Sequence, residues 1–86
     1  MFYVYLIKTI KGNKKKTYVG YTNNLNNRLI KHNSNKGAKS TKGYKWKIIF
    51  SKKFTSKKQA MSYEYKLKKD RRKRKKIIEN SKYKLC

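Results

Sequence analysis

The chain sets 27 Lys and Arg against three carboxylates, Glu64, Asp70 and Glu79, and so carries a formal charge of +24 over 86 residues. A compact state with that charge repels itself, and so large an excess is best explained by an acidic polymer as partner, nucleic acid first. Each phosphate neutralised on a duplex adds about −0.9 to the slope of log affinity against log salt, so ~6 contacts lose ~10³ in affinity between about 50 and 200 mM. The length leaves room for one small domain, residues 1–86, burying only roughly 60–65% of the surface of its unfolded chain. A large enclosed substrate cavity is not expected.

Other classes fall away quickly. The one cysteine, Cys86, is the last residue, which excludes an internal disulfide and a cysteine-based zinc cluster. Met1 to Ile7 is apolar, but Lys8 interrupts it and no basic segment precedes it, so it reads as a strand and not a signal peptide. No stretch approaches the ~20 apolar residues that span a bilayer. The expectation is a cytoplasmic, DNA-associated protein with no membrane segment, no zinc domain and no obligate protein partner.

Phe2 to Ile10 is rich in aromatic and β-branched residues, Gly12-Asn13 signals a turn ahead of Lys14 to Lys16, and Thr17 to Tyr21 returns as the second strand of an antiparallel hairpin. Asn23 or Asn24 caps a helix from about Leu25 to Asn33. A lysine-rich loop with Gly37 and Gly43 follows. Trp46 to Phe54 alternates Trp46, Ile48 and Phe50 against Lys47, Ile49 and Ser51, as a half-buried strand does. Ser56 to Gln59 is a capping-box pattern opening a helix to about Lys69, and Asp70 caps a last helix, Arg71 to Glu79. The order strand, strand, helix, strand, helix, helix makes an α+β chain without repeats.

Helical projection makes the polar residues specific. With Leu25 at zero, Leu29 falls near about +40°, His32 near about −20° and Arg28 near about −60°. Arg28 and His32 thus share the edge of the buried stripe. With Ala60 at zero, Leu67 lies near about −20°, Tyr63 near about −60° and Glu64 near about +40°. A carboxylate on the apolar face requires a partner, because burying an unpaired charge is costly. Arg28, a lysine and a metal ion are the alternatives. Tyr5 and Tyr18 suit strand packing as well as chemistry, and Gly20, expected among the substrate-binding residues, marks a bulge or a close backbone approach. Lys36, Lys39 and Lys42 in the loop and Arg71 and Arg72 in the last basic run are either a solvated face or phosphate contacts, which the net charge favours.

Together these residues resemble the GIY-YIG nuclease superfamily, in particular its small, single-domain bacterial branch. Tyr3-Val4-Tyr5 stands where the first motif would be, Tyr18-Val19-Gly20 where the second would be, and Arg28 lies ten residues past Tyr18. His32 in Arg-Leu-Ile-Lys-His-Asn, the loop Lys36 to Thr41, and Glu64 in Ala60 to Leu67 complete an ordered set over residues 2 to 78. The chain departs from the pattern at Tyr3, where the family has glycine, at Val4 and Val19, where it has isoleucine, and at Asn27, where relatives often have a second basic residue. The resemblance implies a small antiparallel three-stranded sheet flanked by helices. It also implies metal-dependent cleavage of DNA by Tyr5, Tyr18, Arg28, His32 and Glu64, with Glu64 holding one divalent ion, Mg²⁺ or Mn²⁺.

The residues alone carry the chemistry some way. Three acids are too few for a two-metal site, whereas one ion on Glu64 with water in its other positions fits how Mg²⁺ binds. Arg28 would stabilise charge developing on a phosphate. Tyrosine is a poor base at its reference pKa of about 10, but nearby cations lower that value, so Tyr5 or Tyr18 would activate the water with help from His32. The expected substrate is single-stranded or branched DNA with little sequence preference, with Tyr44 or Trp46 stacking on bases unless Trp46 is core. The rival reading is a basic nucleic-acid-binding protein on the same fold without catalysis.

Overall fold

The computed structural model describes residues 1–10, 16–37 and 42–84, with side chains described as far as residue 80. The Gly12-Asn13 turn, Lys39 with the adjoining loop residues 38–41, and Cys86 lie outside the described residues. The elements are β1 (Phe2–Thr9), β2 (Thr17–Thr22), α1 (Leu25–Asn33), β3 (Trp46–Phe54), α2 (Lys57–Lys69) and α3 (Arg71–Lys84). Their order is the expected one, and the last helix continues beyond Glu79.

The first strand in sequence is the middle strand in space. The sheet runs β2-β1-β3, antiparallel on both sides. Both faces of β1 are covered, so Val4, Tyr5, Leu6 and Ile7 are all buried. Tyr5, Ile7 and Trp46 pack with Leu25 and Leu29 of α1 on one face. Val4, Leu6 and Val19 pack with Ala60 and Leu67 of α2, and with Ile77 and Ile78 of α3, on the other.

That two-sided burial corrects the simple alternation expected of Trp46 to Phe54. Leu6 pairs with Phe50 and Ile7 with Ile48, so an irregularity leaves Ile49 without an opposite residue. An extra residue reverses the facing of everything beyond it. Trp46 and Ile48 therefore join the Tyr5 face, while Phe50 and Phe54 join the Val4 face. Trp46 is core, not a stacking platform, and Tyr44 is half-buried edge-on to it at 6.0 Å, with the Lys16 amine 4.6 Å from the Tyr44 ring centre.

The helix starts follow the capping signals. Asn24 accepts from the Asn27 N–H at 3.1 Å, Ser56 from Gln59 at 3.4 Å and Asp70 from Lys73 at 3.0 Å, each satisfying a donor that the first turn leaves without a helical partner. Asn33 at the end of α1 grips the start of β3. Its Oδ1 accepts the Trp46 N–H at 2.6 Å and its Nδ2 donates to the Trp46 carbonyl at 3.1 Å, as a neighbouring strand would. Among the described residues no helix is long and apolar enough to cross a membrane.

Replacing Asn33 by Ala removes both of its hydrogen bonds to the part-buried Trp46 backbone, and should cost about 1–3 kcal/mol in denaturant unfolding. Asn33→Asp, which keeps the acceptor and loses the donor, should fall between the two proteins. Equal stability of all three would show that the clamp contributes nothing.

Candidate active site

The site grows from β1. Tyr5 lies opposite Gly20 of β2, and Ile7 lies opposite Tyr18, so both tyrosines point to the α1 side of the sheet. Arg28 and His32, one turn apart on α1, come down onto them. The Tyr5 hydroxyl lies 2.9 Å from His32 Nε2 and accepts from Arg28 Nε at 3.3 Å. The Tyr18 ring packs at 5.2 Å from His32 and 6.4 Å from Tyr5, centre to centre. Tyr5 is 2% exposed and His32 0%, whereas Arg28 and Tyr18 are half-buried.

The hydroxyl network narrows the proton positions. Arg28 has no lone pair to offer, so it donates to the phenol oxygen. That oxygen can accept twice and donate once, so two arrangements fit the contact with His32: the phenol donates to Nε2 of a ring protonated on Nδ1, or Nε2–H donates to the phenol. Among the described residues no buried side-chain polar atom is without a partner.

The electrostatics correct one expectation. Burial raises the Tyr5 pKa, and this outweighs the hydrogen bond and charge of Arg28, which lower it, while Tyr18 and Glu64 add to the rise. Tyr5 is therefore held as a phenol, against the lowering expected from so many cations. Burial, with the Arg28 charge second, lowers the His32 pKa and keeps the ring neutral. Arg28 is held more firmly cationic, chiefly by its bond to Tyr5.

Two glycines make room for this packing. A Cβ on Gly20 would lie 2.5 Å from the Tyr5 hydroxyl oxygen, and one on Gly37 would lie 2.5 Å from His32 Nδ1. Gly20 thus answers the choice between a bulge and a close approach in favour of the second, since β1 and β2 pair in unbroken register. The part of Gly37 was missed from sequence, where it read only as a loop signal. The hint lay just before it, because Asn35 closes the helix with φ 64° and returns the chain over the ring.

Glu64 sits on the β2 side of α2 and is 16% exposed, and its partner is Lys68 at 3.1 Å, not Arg28. Its charge is felt at Tyr5, and the Lys68 amine stands 5.9 Å from the Tyr18 ring centre. Asp70 is used as a cap, and among the described residues no three His, Cys, Asp or Glu side chains converge. Any ion here would have Glu64 as its one carboxylate. Arg28 also lines an open cleft of about 200 Å³ with Asn24, Asn27 and Lys31, which is the approach to its outer side. Lys36 and Lys42 are exposed on the loop after α1, and Arg71 and Arg72 are exposed at the start of α3, which packs on α2 and β3. The structure does not bring these four into the tyrosine cluster.

This fold and cluster define a small nuclease-type α+β domain, and the chain belongs to the GIY-YIG family: the GIY-YIG catalytic domain matches residues 1–77. It is similar to the UPF0213 protein OB0043 of Oceanobacillus iheyensis, 42% identical over 67 residues, which covers 77% of this chain and 74% of that one. It is also similar to the UPF0213 protein YazA of Bacillus subtilis, 42% identical over 69 residues and covering 79% and 70% of the two chains. A UPF0213 protein of Streptococcus pneumoniae is 41% identical over 71 residues, covering 81% and 69%. None of these names states an activity. No solved structure matches the chain significantly.

Two measurements follow from the packing and the protonation. Gly20→Ala drives a methyl into a buried ring that cannot retreat, and should cost about 1–3 kcal/mol; wild-type stability would contradict the close approach. His32 has its folded pKa below 6.5, so the unfolded chain binds more protons as pH falls. Its stability contribution is present above 6.5 and is lost as pH falls through the folded value. Tyr5 has its folded pKa above 10.0, so its contribution is present below 10.0 and is lost as pH rises through the folded value. Relative to wild type, His32→Gln should flatten the acid limb of melting temperature against pH, and Tyr5→Phe the alkaline limb.

Proposed function

We propose that this chain acts as a single-domain, divalent-metal-dependent endonuclease that hydrolyses phosphodiester bonds in single-stranded or branched DNA with little sequence preference. The observation that carries the reading is the buried chain of hydrogen bonds from Arg28 through the Tyr5 hydroxyl to His32. A module that only binds nucleic acid needs surface lysines. It has no use for a neutral histidine, a phenol and a guanidinium held together, with the charge of the one carboxylate on the apolar face of α2 felt at the phenol.

The residues divide the reaction between them. Attack requires the water to lose a proton as its oxygen closes on phosphorus. The Tyr5 oxygen takes that proton while its own passes to His32 Nε2, so the phenol remains neutral and its raised pKa is no obstacle. Arg28 holds the phenol oxygen with Nε and presents the rest of its guanidinium to the cleft, where it stabilises charge on the phosphate oxygens. The same cation disfavours the imidazolium that forms, so His32 returns its proton readily. Tyr18 packs against the histidine ring and fixes its orientation.

The donor set fits a single ion. Glu64 would hold it, and the ion when bound would supply Lewis-acid stabilisation of the phosphate and leaving oxygen. One carboxylate completed by water is a usual Mg²⁺ arrangement, and the Lys68 amine that pairs with Glu64 is on an exposed side chain that can move aside. Solvent protonates the leaving oxygen in the open cleft. Gly20 serves by making space for Tyr5, and Lys36, Lys39 and Lys42 of the loop, with Arg71 and Arg72, supply charge for the polymer beyond the cleaved bond.

End-labelled single-stranded, duplex and flapped DNA, incubated with Mg²⁺ or Mn²⁺ and separately with chelator, tests the reading. Wild-type protein should cut only with metal, and Glu64→Ala should bind without cutting. Tyr5→Phe should lose about 10²–10⁴ in single-turnover rate, and Arg28→Ala about 10²–10³ with a much smaller loss of affinity. Binding without cleavage under every condition would leave a basic binding protein on this fold.

A further inference from the structure

The sheet separates the tyrosine cluster from a second feature with no part in it. On the opposite face, Phe54 at the end of β3 and Tyr63 of α2 stand 5.3 Å apart, centre to centre, and both are half-buried. They open a groove of about 530 Å³ with Lys58, Gln59, Ser62 and Lys66. That volume is within the roughly 300–1,000 Å³ typical of small-ligand sites. The Lys52 amine lies 5.0 Å from the Tyr63 ring centre and 5.8 Å from that of Phe54, and the Lys73 amine lies 4.8 Å from Tyr63. No carboxylate lines the groove among the described residues, and Asp70, which lines a smaller neighbouring cavity, already caps α3.

We propose that this groove is a second binding site for single-stranded polynucleotide, in which a base stacks on Tyr63 and Phe54 while Lys52, Lys58, Lys66 and Lys73 hold the flanking phosphates. Four cations around two aromatic rings match an anionic strand with exposed bases. A protein or apolar ligand would have to strip water from those ammonium groups without neutralising them. The Lys73 amine also hydrogen-bonds to Tyr63, and an ammonium over a ring that is only half-buried is a weak contact. A base that displaces it gains the stronger stacking contact and frees the amine for a phosphate. Tyr63 and Glu64 occupy opposite flanks of the buried stripe of α2, one toward β3 and the other toward β2. Tyr65, 60% exposed with the Lys69 amine 4.4 Å from its ring centre, lies on the outer surface of the same helix. One arm of a branched substrate would lie in the groove while another reaches Arg28.

The site is defined by binding and does not depend on cleavage, so it is tested in chelator, where failure of the nuclease reading has no effect. The probe is a labelled oligothymidylate of about twelve nucleotides, followed by anisotropy across salt concentrations. Lys52→Gln/Lys66→Gln should reduce the salt slope by about 1.4, at about 0.7 per phosphate contact on a single strand. Tyr63→Leu keeps an apolar side chain in place and should weaken binding about tenfold with the slope unchanged. An oligomer carrying 5-iododeoxyuridine should photocrosslink to Tyr63. Unchanged affinity and slope in the lysine variant, or crosslinks confined to the α1 side of the sheet, would overturn the proposal. Because the lysines are exposed, that variant decides the matter even if Tyr63→Leu unfolds.

Discussion

Everything in this molecule is arranged around one buried hydroxyl. The Tyr5 phenol lies on the central strand, where its ring is core for one face of the sheet, and its oxygen ties the sheet to both Arg28 and His32 of α1. Gly20 leaves space for it on the neighbouring strand, and Gly37 returns the chain over the histidine it contacts. Leaving such a group unpaired in the interior would cost about 1–3 kcal/mol, a serious loss for a domain this small and this highly charged. The same three groups hold α1 to the sheet and, in the proposed reaction, move a proton. That explains why a chain with so few acids and one histidine buries the histidine.

The charge of the chain and the chemistry of the site work at different ranges. The lysines on exposed faces attract a polyanion from a distance, screened within about 8–10 Å at physiological salt. The Arg28, Tyr5 and His32 group acts only at contact, in a region that water reaches poorly and where fixed dipoles and charges count for more. Burial decides the protonation states there. It keeps Tyr5 protonated against the pull of Arg28 and keeps His32 neutral with the help of Arg28. The relay proposed for the reaction needs a poor base and a neutral acceptor in sequence, and two ionised groups would not serve it.

Much of this was legible in the sequence, and what was not has physical reasons. Capping residues and periodicity placed the strands and helices, because Asn24, Ser56 and Asp70 act locally. Helical projection put Arg28 and His32 on one edge and Glu64 on the apolar face of its helix, since those are properties of a single element. The irregularity at Ile49 was not legible, because it arises from the need of β3 to serve both faces of β1. The Lys68 partner of Glu64 lies one turn away and could have been read from spacing, but lysines are so common in this chain that spacing does not single one out. The rise in the Tyr5 pKa depends on how deeply the ring is buried, and the sequence shows only that cations are near.

The central claim is that the Tyr5 hydroxyl donates its proton to His32 while accepting from Arg28. His32 is the only histidine in the chain, so long-range proton–nitrogen NMR of ¹⁵N-labelled protein near neutral pH reports on it without assignment ambiguity. The account predicts a neutral ring protonated on Nδ1, with Nε2 showing the shift of a hydrogen-bond acceptor that changes in Tyr5→Phe. A ring protonated on Nε2, or one indifferent to Tyr5→Phe, would contradict it.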